Sequence, residues 1–204
     1  MLFTDTYKTI SQPSEGLFKD RGSKFIGYSY PVNSEAEAKN LVNSLRAEHG
    51  KARHFCWALR LSPDRSVFRL NDDGEPSGTA GRPILNTLLS ADLINILVVV
   101  VRYFGGTLLG VPGLINAYKT AAQEAITSAD IIEKTVNDLY RLTFAYLTMN
   151  EVMKIIKEEN LQTTNEKFDN DCVMEISVRK SQLNQVIGKF EKVEGLVLTF
   201  IGSI

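Results

Sequence analysis

The run Ile94–Val101 constrains the fold more than any other stretch of this chain. After Asn95 it is apolar at every position, without the alternation that a strand with one wet face requires. Such a strand belongs in the middle of a sheet that is covered on both faces. The flanking patterns supply the cover. Tyr7–Ile10, Gly16–Lys19 and Ser23–Pro31 read as short strands, with Gly22 marking the turn before the third. Ser34 is placed to cap a helix with Glu35 and Glu37 in its first turn and an apolar stripe of Ala38, Leu41, Val42 and Leu45, closed by Gly50. Strands follow at Phe55–Leu61 and Val67–Leu70, joined by a turn at Ser62–Arg65. A helix carrying Ile84, Leu85, Leu88 and Leu89 precedes the central strand, and another, Leu114–Ser128, follows it.

Apolar patterning restarts near Lys134. Tyr140, Leu142, Phe144 and Tyr146 alternate with Arg141, Thr143 and Ala145 as a strand with one buried face. Asn150 can cap a helix bearing Val152, Ile155 and Ile156, and strands at Leu161–Phe168 and Cys172–Val178 flank the turn Asp169–Asp171. Ser181 can cap a helix with Leu183, Val186, Ile187 and Phe190, before a last strand at Leu196–Ile201. The order is β-α-β-β-α-β, that of the split unit in ferredoxin-like domains. The expected class is α+β, with two domains, 1–130 and 134–204, separated by a turn near Asp130–Lys134.

A net charge of −1 over 204 residues argues against a purely electrostatic nucleic-acid binder, so any basic patch must come from folding. Cys56 and Cys172 form no CxxC, which indicates neither a disulfide framework nor a zinc site, and Cys56 reads as a buried thiol within Phe55–Ala58. The amino terminus lacks a signal-peptide pattern. The longest apolar run, Ile96–Val101, is far short of the roughly 20 residues that cross a bilayer. The expectation is a cytoplasmic protein with no cofactor.

Chemistry is to be sought in two glycine-rich loops, each between a strand pattern and a helix pattern. The first is Asn71–Pro83. Asp72, Asp73 and Glu75 place three carboxylates within four residues, a set able to ligate Mg²⁺ or Ca²⁺. The calcium-loop spacing is missing, however, and Gly74 and Pro76 splay the side chains, so a solvated turn bonded to backbone amides is favoured over a metal site. Ser77, Gly78 and Thr79 lead into a helix that has Pro83 in its first turn, with Arg82 at a start that can attract a phosphate or carboxylate. The second loop, Arg102–Gly113, holds Gly105, Gly106, Gly110 and Gly113. It matches neither common nucleotide-binding spacing and reads first as a packing turn. An exposed Arg102 beside Tyr103 and Phe104 is also the charge-plus-stacking pair that single-stranded nucleic acid favours. His54 alternates with Arg53, and His49 reads as a helix-end residue. No nucleophile setting accompanies either histidine, so no catalytic residue is assigned.

The block Asp72–Pro83 together with Val98–Gly106 resembles the bacterial YigZ and eukaryotic IMPACT family. Gly22–Ile26, Ala52–His54, Leu109-Gly110 and Gly113–Tyr118 extend the likeness over roughly residues 15–125. It implies a first domain like domain 2 of ribosomal protein S5, related to the fourth domain of a translocating elongation factor. The ferredoxin-like second domain would correspond to that factor's fifth. It also implies a link to translational control, which IMPACT exerts partly through an additional amino-terminal domain not expected in this chain. Leu108 and Asn116 stand where some relatives carry Lys or Arg, which lowers the charge around the second loop.

The residues and the resemblance together lead us to expect a non-catalytic protein that binds RNA or a ribosome- or translation-associated partner. Its face would carry Lys24, Arg53, His54, Arg82, Arg102 and Tyr103. An enzyme or a small-anion or metal binder built on residues 72–82 is the alternative, and a protein-interaction module using the carboxy-terminal sheet is a third.

Overall fold

A computed structural model describes residues 5–62 and 66–204 of the chain. Residues 63–65 of the expected Ser62–Arg65 turn lie outside the described residues. The chain divides into two compact units, one of residues 8–134 and one of residues 135–204 joined by residues 5–7.

The first unit runs β1 (Thr6–Ile10), β2 (Ser14–Asp20), β3 (Ser23–Pro31), α1 (Glu35–Glu48), β4 (His54–Leu61), β5 (Val67–Asn71), α2 (Gly81–Ser90), β6 (Ile96–Tyr103), α3 (Gly110–Thr127) and β7 (Ile131–Thr135). β6 lies at the centre of a five-stranded antiparallel sheet of order β2-β3-β6-β4-β5. Ile96 through Val101 are all fully buried. Ile96, Val98 and Val100 pack under α2 and α3 with Phe25, Cys56 and Ala58. Leu97, Val99 and Val101 pack on the other face against Val42 and Leu45 of α1. With both faces apolar, a one-residue slip of β6 would leave burial almost unchanged. The polar residue at its end separates the two registers, because a slip would turn Arg102 to the opposite face.

Local signals explain most element boundaries. The Ser34 hydroxyl accepts from the Glu37 N–H at 3.1 Å, and the Glu37 carboxylate reaches back to the Asn33 N–H at 2.8 Å, fixing the start of α1. α3 seats closely on β2 and β3, and a Cβ at Gly27 would lie 2.3 Å from the Ala121 carbonyl oxygen. α3 begins at Gly110, a turn earlier than its apolar stripe indicates, because Pro112 is tolerated in a first turn where no N–H bond is needed. α1 ends at His49, whose N–H bonds the Leu45 carbonyl, with Gly50 just beyond. Leu89 is exposed rather than packed. The expected turn at Asp130–Lys134 is instead largely strand: β7 pairs with β1 in a separate two-stranded sheet. Residues 5–7 group with the second unit, where the Val136 N–H bonds the Asp5 carbonyl and Arg179 holds the Asp5 carboxylate.

The second unit runs β8 (Asn137–Ala145), α4 (Met149–Glu158), β9 (Gln162–Phe168), β10 (Asp171–Arg179), α5 (Leu183–Phe190) and β11 (Val197–Ser203). Its sheet has the order β11-β8-β10-β9, each neighbouring pair antiparallel. Leu142, Phe144, Met174 and Ile176 pack against Val152, Ile155, Val186 and Phe190. Tyr146 does not extend β8; it starts a short 3-10 turn with its ring exposed. Both helices follow such turns, so neither Asn150 nor Ser181 serves as a side-chain cap.

Candidate functional site

The loop between β5 and α2 folds around its own carboxylates, and each faces a different partner. Asp72 accepts from the N–H groups of Gly78 at 2.9 Å, Ala80 at 3.0 Å and Gly81 at 2.8 Å. The Ala80 and Gly81 N–H groups are among the donors that the start of α2 leaves without helical partners, and the Gly78 N–H belongs to the turn before it. Burial works to raise the Asp72 pKa, but the three N–H bonds outweigh it and hold the carboxyl below the usual carboxylate range. Neither Ser77 nor Thr79 caps the helix; Thr79 Oγ1 bonds the Pro76 carbonyl at 2.7 Å. The anion site foreseen at Thr79–Arg82 is therefore filled from within by Asp72.

Asp73 takes a left-handed backbone conformation, φ +43°, that short polar residues tolerate best. Its carboxylate accepts the Phe55 N–H at 2.7 Å and pairs with Arg46 of α1. Its carbonyl holds His54 Nδ1 at 2.9 Å. Gly74 and Gly78 complete the turn with positive φ. Glu75 dips inward and meets the second loop. Its Oε1 receives Arg102 Nη1 and the Tyr118 hydroxyl, the latter at 2.8 Å.

Arg102 is thus not an exposed cation. The Glu75 and Arg102 side chains are 4% and 6% exposed, and the guanidinium lies 5.4 Å from the ring centroids of both Phe25 and Phe104. Arg102 Nε has no hydrogen-bond partner among the described residues. Cys56 lies beside this network and donates to the Asp72 carbonyl at 3.0 Å. Burial pushes the Cys56 thiol and the Tyr118 hydroxyl well above their ordinary values, so both are neutral near pH 7. A neutral buried thiol is a poor nucleophile. In the second loop, Gly105 crosses the β2–β3 turn so closely that a Cβ would lie 1.9 Å from the Gly22 carbonyl carbon. Gly106 and Gly110 have positive φ, and Gly113 packs on Leu109. Both loops are locked to each other and to the sheet by these contacts.

The six candidate binding residues do not form one face. Strand alternation puts Arg102 opposite His54 and Phe25 on the side under α2 and α3. Lys24 and Tyr103 are cross-strand partners on the other side. Arg102 and Tyr103 consequently cannot act as a joint charge-and-stacking pair. Tyr103 is instead tied by its hydroxyl to His49 Nδ1 at 2.8 Å, and His49 Nε2 meets the Tyr28 hydroxyl at 2.9 Å. A neutral imidazole satisfies both contacts, one nitrogen donating and the other accepting. Burial, with the charges of Glu15 and Glu48 adding, pushes the Tyr28 hydroxyl up to about 12. Lys24, Arg53 and Arg82 are exposed and, among the described residues, have no hydrogen-bond or ion-pair partner.

Three participants escaped the sequence reading: Arg46, Tyr118 and His49 as a bridge. Arg46 and Tyr118 sit on helices and His49 at the end of one, and each acts on a strand or loop at least 21 residues away in the chain, a separation that carries no local signal.

The family model of the Impact N-terminal domain matches residues 21–126, which include both loops. An IMPACT family member from Haemophilus influenzae is 34% identical over 72% of this chain and 72% of its own length. The IMPACT family member YigZ of Escherichia coli is 31% identical over 82% of this chain and 83% of its own. A crystal structure described as that of an hypothetical protein superposes with a TM-score of 0.77 at 27% identity, covering 98% of both chains.

Proposed function

The chain belongs to the IMPACT family, and from that premise we propose that it is a non-catalytic cytoplasmic protein that binds RNA or a ribosome-associated partner in the regulation of translation. In this reading the first unit is a ribosomal protein S5 domain 2-like module and the second a ferredoxin-like one. The β-α-β-β-α-β order with sheet order β11-β8-β10-β9 supports the second assignment. No helix among the described residues is long and apolar enough to cross a membrane.

One observation carries the reading. The carboxylates of the first loop are spent on backbone amides, on Arg46 and on Arg102, whereas the cations Lys24, Arg53 and Arg82 are exposed and, among the described residues, unpartnered. An enzyme or metal site on residues 72–82 would have to break the Asp72, Asp73 and Glu75 contacts before using those carboxylates. Exposed cations, by contrast, need no rearrangement to meet phosphates. A protein-interaction role draws on exposed Val197, Phe200 and Ile201 along the edge strand β11.

Gradient sedimentation with ribosomes tests the proposal. The protein should travel with ribosomes at about 0.05 M salt and be released at about 0.5 M, where screening is short-ranged. Protein that stays at the top of the low-salt gradient contradicts ribosome association, and co-sedimentation that persists at high salt favours the apolar β11 edge.

A further inference from the structure

α2 and α3 pack together, and between them runs a furrow of about 390 Å³. One stripe of each helix lines it: Arg82, Asn86 and Ser90 from α2, and Ile115, Lys119 and Gln123 from α3. The successive spacing of four residues puts each set on a single helix face. Among the described residues, no carboxylate lines the furrow. Arg82 and Lys119 are exposed and, among the described residues, unpaired. The Asn86 and Gln123 amides are also without partners among the described residues, while the Ser90 hydroxyl is occupied by the Asn86 carbonyl at 2.9 Å. The charge of Asp72 at the mouth of α2 is met by three backbone N–H groups, so it does not cancel Arg82 through a direct ion pair.

We propose that this furrow seats single-stranded RNA, with Arg82 and Lys119 each meeting a phosphate. The Asn86 and Gln123 amides offer both donors and acceptors to ribose hydroxyls and base edges, and Ile115, 39% exposed, gives a base an apolar wall. An acidic peptide would meet the two cations through its carboxylates but has no ribose hydroxyls or planar base edges for the amides, and competition by oligoglutamate separates the two. The proposal rests on the RNA-binding reading above and gives it a location. It moves the binding surface away from Arg102, which is buried, to the outer side of the helical layer. Lys119, Asn86 and Gln123 lie outside both glycine loops, and their spacing in the sequence looks like any solvated helix face.

The test is fluorescence anisotropy of a labelled oligouridylate of about 10 nucleotides, within the length that small single-strand sites cover. Wild-type protein is compared with R82Q/K119Q and with K24Q/R53Q across salt concentrations. Each lost phosphate contact lowers the log–log salt slope by about 0.7, so R82Q/K119Q should flatten it by about 1.4. If the two proteins bind alike near 1 M salt, the variant is about 25-fold weaker at about 0.1 M. Unchanged emission from Trp57, the single tryptophan, certifies that the variant folds. If wild type binds and R82Q/K119Q matches it within about twofold, the furrow is refuted while the RNA reading stands. If K24Q/R53Q carries the whole loss, or oligoglutamate of equal charge competes as well as RNA, the furrow assignment is likewise overturned. No binding by wild type at any salt overturns the furrow and the RNA reading together.

Discussion

Removing the Glu75 side chain should destabilise the first unit severely. Glu75 and Arg102 are 4% and 6% exposed, and Arg102 Nε already lacks a hydrogen-bond partner among the described residues. Glu75→Ala therefore leaves a guanidinium enclosed by Phe25 and Phe104 with its counter-charge gone, and removes the acceptor of the Tyr118 hydroxyl as well. Breaking a buried pair from one side costs about 3–5 kcal/mol, against about 0–1 kcal/mol for an exposed one. In a unit of this size that loss lowers Tm by about 10–20 °C. Urea unfolding followed by Trp57 emission reads this unit alone, since the single tryptophan lies on β4. Replacing both partners with apolar side chains of similar size, Glu75→Leu with Arg102→Met, should cost less than either single removal, because no buried charge is then left unpaired. A Glu75→Ala loss below about 1 kcal/mol refutes the reasoning, as does a double variant whose loss equals the sum of the two single ones.

Asp72→Ala should destabilise the same unit by about 1–3 kcal/mol near neutral pH, by orphaning the Gly78 N–H of the turn and the Ala80 and Gly81 N–H groups at the start of α2. The Asp72 pKa is depressed in the fold, so its contribution is full above the unfolded carboxyl value of about 3.9 and is lost as pH falls through the lower folded one; the two proteins' urea midpoints should converge in acid, and a pH-independent gap contradicts this. Gly105→Ala should cost far more than Gly106→Ala, because its methyl meets the Gly22 backbone at 1.9 Å whereas the Gly106 site is open and penalised only by positive φ. Equal losses in urea unfolding would show that the Gly22–Gly105 crossing does not control the loop.

How much the sequence disclosed depended on how far apart the interacting residues are. β6 was legible because burial on both faces leaves an unbroken apolar run, and α1 because Ser34 and Glu37 are three residues apart. The β-α-β-β-α-β order of the second unit was readable for the same reason, since each of its elements carries its own period. β7 was missed because five residues with only partial burial have little period, and what makes them a strand is β1 at the far end of the unit. The site was less legible than the fold. Arg102 at a strand end beside two glycines reads as exposed, and its partner Glu75 is 27 residues away. Asp72 caps a helix from up to nine residues upstream, outside the local spacing by which caps are recognised. The splaying of Asp72, Asp73 and Glu75 around Gly74 was foreseen; the identities of their partners were not.

The salt dependence of RNA binding by the unmodified protein tests the central claim most directly. Arg82 and Lys119 alone predict a log–log slope of about −1.4, and adding Lys24 and Arg53 brings it to about −2.8 at most. A measured slope within that range, with binding strengthening as salt is lowered, is the result the account predicts. A flat slope, or no binding of single-stranded RNA at about 0.05 M salt, contradicts it.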